Sequence, residues 1–176
     1  NPYVDVERAV REANTKNSQQ LALQTAREGI VLLKNEKNLL PLNKNIKSIA
    51  VIGPNADDAM NQLGDYTSQV LTQDVVTVLE GIRNKVSSGT KVTYIKGCEI
   101  IGNKLNEISK ARASAKSADL AIVVLGETSN RPGTDGEGYD VASLDLTGLQ
   151  EDLLKAVYST GTPTIAVLIN GRPLSI

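Results

Sequence analysis

Two stretches decide what this chain can become: SIAVIG at residues 48–53 and DLAIVVLG at 119–126. Each is an apolar run, rich in isoleucine and valine, that closes on glycine. A strand with one face in water alternates polar and apolar residues, whereas an unbroken apolar run has to be covered on both faces. Such strands belong to a parallel sheet between helices, because joining parallel neighbours takes a crossover of about a dozen residues or more. The sequence supplies the crossovers. TVLEGIRNKV (77–86), LNEISKARASAKSA (105–118) and GLQEDLLKAVYST (148–160) read as helices, and KVTYIKG (91–97) and PTIAVLIN (163–170) as two more strands, giving four buried strands in all. A longer amphipathic helix is expected at SQQLALQTAREGIVLLKNE (18–36), with Ser18 as its N-cap and Pro41 beyond its end. This alternation predicts an α/β fold, a three-layer sandwich with a mostly parallel central sheet and helices on both faces. Residues 1–16 read as a connecting segment and 17–176 as one sandwich domain.

Composition narrows the chemistry. A formal net charge of −1 with no basic block argues against a nucleic-acid surface. No run reaches the roughly 18 apolar residues of a membrane helix. The chain has no histidine, which removes Ser-His-Asp and Cys-His nucleophile systems and every His-containing metal site. Its one cysteine, Cys98, cannot form an internal disulfide and reads as half-buried filler. Carboxylates, hydroxyls, lysines and backbone remain. The opening NPYVDVERAV and the ending VLINGRPLSI are those expected of a piece of something longer.

In an open parallel sheet, functional groups gather in the loops beyond the carboxyl ends of the strands. The loop after the third strand, GETSNRPGTDGEGYDVAS, is long for such a connection, and loops of that length tend to be functional or disordered. It carries Asp135, Glu137 and Asp140, with Asp145 just beyond. Glu137 stands between two glycines, which lets the backbone approach another surface closely. It is either part of a solvated loop or a carboxylate held out for chemistry. Hydrolysis of a sugar acetal needs two carboxyl groups, and Asp135 is too near in sequence to be an independently placed partner. VIGPNADD lacks the glycine pattern of a dinucleotide loop and the Gly-Lys-Ser/Thr of a Walker loop, and reads as a polar turn.

TAREGIVLLKNEKNLLPL, SIAVIGPNAD, GEGYDVASLDLTGLQEDLLKAV and TPTIAVLINGRPLSI occur in that order. With them the chain resembles the second, C-terminal α/β sandwich domain of glycoside hydrolase family 3, in its β-glucosidase and β-xylosidase branch. The resemblance implies a retaining, exo-acting β-glycosidase, a β-glucosidase before a β-xylosidase, acting on terminal non-reducing β-D-glycosides. It implies a nucleophilic aspartate on an N-terminal barrel domain and an acid/base glutamate on a loop of the sandwich domain. That loop matches GEGYD here, so Glu137 takes the acid/base role, with Glu127 the second choice. Asp140 is expected to order the loop, by capping amides or by pairing with Arg131, and Asp65 and Tyr66 of LGDYTSQ to lie near the rim of the substrate cleft. The partners implied are a β-linked oligosaccharide and the barrel, with no nucleic acid, membrane, metal or organic cofactor. Without a barrel the chain is expected to be inactive by itself. The resemblance favours a periplasmic or secreted location. The alternative reading is a non-catalytic carbohydrate-binding module; such modules present aromatic platforms, and this chain has neither Trp nor Phe.

Overall fold

The apolar runs settle the centre of the sheet. In the computed structural model, which describes residues 3–13, 15–67, 75–130 and 132–176, strands β1 (Ser48–Ile52) and β3 (Leu120–Gly126) lie side by side in the middle. β2 (Lys91–Ile95) flanks β1, and β4 (Thr164–Ile169) flanks β3. The order is β2-β1-β3-β4 and every pairing is parallel. All seven residues of β3 are buried, as are Ile49 to Ile52 of β1. The outer strands depart from the expectation of four buried strands. β2 and β4 are mostly half-buried, because an edge strand has a neighbour on one side only.

The chain divides into two compact units, Asn1–Pro41 and Leu42–Ile176. The second contains the sheet and three helices: α3 (Val78–Lys85), α4 (Ile108–Lys116) and α5 (Gln150–Tyr158). Thr77 caps α3, its hydroxyl accepting the Glu80 amide. One face of the central strands, Ala50, Ile52, Ala121, Val123 and Leu125, packs with Ala111 and Ala115 of α4 and Leu153 and Val157 of α5. The two fully buried alanines leave room for α4 to approach both the sheet and α5. Burying a side chain such as Leu153 contributes about 2 kcal/mol. The right-handed crossover rule sends α3, between β1 and β2, to the opposite face from α4 and α5. The expected α/β sandwich is therefore present.

The first unit holds α1 (Val6–Glu12) and α2 (Lys16–Gly29), neither with a buried residue. Here the boundaries differ from the sequence reading. α2 begins two residues before Ser18, and its N-cap is Thr15, which accepts the Ser18 amide. It ends at Gly29, not at residue 36. Glycine weakens the last turn, and the β-branched pair Ile30-Val31 favours extended backbone, which Ile30 adopts at φ −73°, ψ 124°. Ile30, Val31, Leu32 and Leu33 are all exposed.

Candidate functional site

Because β1 and β3 are neighbours, their exits lie side by side, and the site is assembled from the two loops that leave them. Its floor is a buried polar network. Asn55 donates through Nδ2 to the Glu127 carbonyl (3.1 Å), and Asn61 Nδ2 donates to Asn55 Oδ1 (2.7 Å). Asn61 Oδ1 in turn accepts from Thr128 Oγ1 (2.6 Å) and Asn130 Nδ2 (2.7 Å). Buried amides and hydroxyls that satisfy one another specify one arrangement, since any other leaves a polar group unpaired. At the root of the second loop, Gln150 closes on the last residue of β3 from both sides. Its Oε1 accepts the Gly126 amide and its Nε2 donates to the Gly126 carbonyl, each at 2.9 Å.

Glu127 follows immediately and points inward, 2% exposed. Its Oε1 lies 2.7 Å from Arg172 Nε, just past β4. At that distance the enclosed carboxylate and the guanidinium form an ion pair. Burial pushes the Glu127 carboxyl above its ordinary range, and the Arg172 guanidinium opposes the rise. Arg172 also donates through Nη1 to the Ser143 carbonyl at 2.9 Å, tying down the far end of the loop. Asp135 fastens the middle, its Oδ2 accepting the Gly171 amide (3.0 Å) and its Oδ1 the Ser129 hydroxyl (3.1 Å).

Glu137 lies at the tip and is exposed. Two adjacent residues of the other loop reach it. Asp65 Oδ2 accepts the Glu137 amide at 2.8 Å, and the Tyr66 hydroxyl donates to Glu137 Oε2 at 2.7 Å. That hydrogen bond is the chief cause of a rise in the Tyr66 phenol above its ordinary value, so the phenol keeps its proton and stays a donor. Gly136 makes the approach possible. Its φ is +97°, and a Cβ there would lie 2.9 Å from Asp65 Cγ.

Of the residues singled out in the sequence, Asp65, Tyr66 and Glu137 come together from loops about seventy positions apart, while Glu127 stays below in its ion pair. Arg131, the partner suggested for Asp140, lies outside the described residues. Sequence reasoning missed Arg172 and the anchoring role of Asp135. A charged residue two positions beyond a strand, in NGRP, was the available signal. Cys98 is fully buried and its thiol is pushed up to about 12, mainly by burial. Among the described residues no group of three His, Cys, Asp or Glu is placed to hold a metal ion, and no helix is long and apolar enough to cross a membrane.

The family model of the glycosyl hydrolase family 3 C-terminal domain matches residues 30–176. A β-xylosidase of Formosa agariphila is 42% identical over 170 residues, covering 94% of this chain and 23% of that protein. The periplasmic β-glucosidase of Salmonella typhimurium is 36% identical over 175 residues, covering 88% of this chain and 22% of that protein. Among solved structures, a β-glucosidase involved in saponin metabolism from intestinal bacteria superposes with a TM-score of 0.84 at 30% identity, over 98% of this chain and 27% of its own. The β-glucosidase of Listeria innocua in complex with isofagomine gives 0.80 at 30% identity, over 93% and 22%. The chain thus spans under a quarter of the length of these two curated relatives.

Proposed function

The chain belongs to glycosyl hydrolase family 3, as its C-terminal domain, and from that premise we propose that it supplies the acid/base carboxyl, Glu137, of a retaining exo-acting β-glycosidase. The substrate class is a terminal non-reducing β-D-glucoside or β-D-xyloside, in keeping with the β-xylosidase and β-glucosidase among its relatives. The observation that carries this reading is the contrast between two carboxylates. Glu137 is exposed at a loop tip with one oxygen engaged by Tyr66, whereas Glu127 is enclosed and spent on Arg172. An acid/base group must reach the glycosidic oxygen, which favours the exposed carboxylate over the enclosed one.

In this scheme a nucleophilic aspartate on an N-terminal barrel domain attacks the anomeric carbon while Glu137 gives its proton to the departing oxygen. Glu137, now ionised, takes a proton from the water that attacks the glycosyl-enzyme, which returns the aspartate and restores the starting state. Residues 1–16 serve as the connecting segment between barrel and sandwich, and the sandwich alone, lacking the nucleophile, does not turn over substrate.

The test is Glu137→Ala in the full-length enzyme, assayed on aryl β-glucosides and β-xylosides with poor and good leaving groups, with and without azide. Turnover of the poor leaving group falls by roughly 100- to 10,000-fold. Azide restores turnover of the activated substrate and yields a β-glycosyl azide. A variant with nearly intact turnover of both removes Glu137 from the role.

A further inference from the structure

The Glu137 side chain has flexible glycines on either side and is exposed. A general acid in that situation samples many rotamers, and proton transfer requires one of them. We propose that Asp65 and Tyr66 are positioning residues that latch Glu137 from the neighbouring loop, and that Tyr66, by occupying Oε2, leaves Oε1 as the oxygen that delivers and recovers the proton. This rests on the acid/base reading of Glu137.

The geometry carries the assignment in three respects. The two contacts bracket the residue, one at its backbone amide and one at its carboxylate, so that together they restrict both the chain path and the side-chain torsions between. They come from consecutive residues, so the amide acceptor and the phenol move as one unit. The fit is also specific, because Asp65 lies against the bare Cα of Gly136, where a side chain would collide with it. A hydrogen bond to one carboxylate oxygen directs protonation to the other, since an oxygen already accepting from Tyr66 is the poorer proton site. The latch then serves both halves of the reaction: it aims the proton at the leaving oxygen and aims the ionised carboxylate at the incoming water.

The experiment uses the full-length enzyme with Tyr66→Phe, Asp65→Ala and Asp65→Asn, beside Glu137→Ala. Each is assayed on a pair of aryl glycosides with poor and good leaving groups, with and without azide. For Tyr66→Phe and Asp65→Ala, kcat/KM on the poor leaving group falls about tenfold further than on the good one. Azide raises kcat on the good one, with little change in KM, because acid/base delivery and not sugar binding is impaired. Asp65→Asn, which keeps a carbonyl oxygen to accept the Glu137 amide, restores most of what Asp65→Ala loses. Equal losses on both substrates, or a rise in KM alone, overturn the latch and make Asp65 and Tyr66 contacts to the sugar. An Asp65→Asn variant as impaired as Asp65→Ala overturns the Asp65 half. If Asp65→Ala does not fold, Tyr66→Phe, which removes one exposed hydroxyl, still decides. Azide rescue of Glu137→Ala without any effect in the latch variants refutes this inference alone, whereas no rescue of Glu137→Ala refutes the reading beneath it.

Discussion

Glu127 and Glu137 leave the same strand end on one loop, yet the fold treats them in opposite ways. Glu127 is enclosed beside a guanidinium, above buried asparagines, and its carboxyl is pushed upward by burial. Glu137 is in the open, and what holds it comes from another loop. A buried carboxylate with a shifted affinity for protons is the usual first suspect for catalysis. Here it fixes the root of the loop, and the carboxylate we propose for the acid/base role is the exposed one. The contrast teaches that burial and availability are separate demands, met by separate residues of one loop.

The comparison is most severely tested at the floor. Arg172→Met leaves the Glu127 carboxylate enclosed without its counter-charge, and thermal or denaturant unfolding of the chain shows a loss of about 3 kcal/mol at neutral pH. The sign of the pH dependence follows from the direction of the shift. A carboxyl whose folded value is raised is protonated more readily in the folded than in the unfolded chain. Its contribution is therefore most favourable at acid pH and is lost as pH climbs through the folded value. Without Arg172 to oppose that rise the loss deepens, so the variant's deficit shrinks on acidification, and adding Glu127→Gln recovers most of it. A deficit independent of pH sinks the ion-pair account.

At the rim the costs are smaller and of another kind. Gly136→Ala places a side chain at positive φ against Asp65, for about 1–2 kcal/mol of strain. Its loss of turnover in the full-length enzyme exceeds what that instability explains, as differential scanning calorimetry beside kinetics would reveal. Smallest of all, Tyr66→Phe shifts the melting midpoint by less than about 2 °C, because an exposed hydroxyl contributes little to folding. A large drop would place Tyr66 with the floor, not the rim.

Much of this was written locally in the chain. Strands β1 and β3 announce themselves because a wholly apolar β-branched run has few alternatives, and their adjacency makes the neighbouring loops meet. The early end of α2 has an equally local cause: leucines continue past Gly29, but the β-branched Ile30 and Val31 before them favour extended backbone. What could not be read was who touches whom across the exits. The Tyr66–Glu137 bond joins residues 71 positions apart, and the Glu127–Arg172 pair joins the ends of two different strands. Neither leaves a periodic trace, because each depends on where the sheet sets the loop roots and not on any pattern within the loops.

The amide of Gln150 bears on how such a loop can change over generations. By holding both the N–H and the C=O of Gly126 from a helix, it closes the strand's hydrogen bonding with a group that lies outside the loop. Arg172 holds the far end more lightly, by donating to the Ser143 carbonyl. Between those ends the floor network holds Thr128 and Asn130, and Asp135 ties the middle to Gly171, so the stretch most open to a change in length is 140–142, where insertions leave the registration of the sheet untouched.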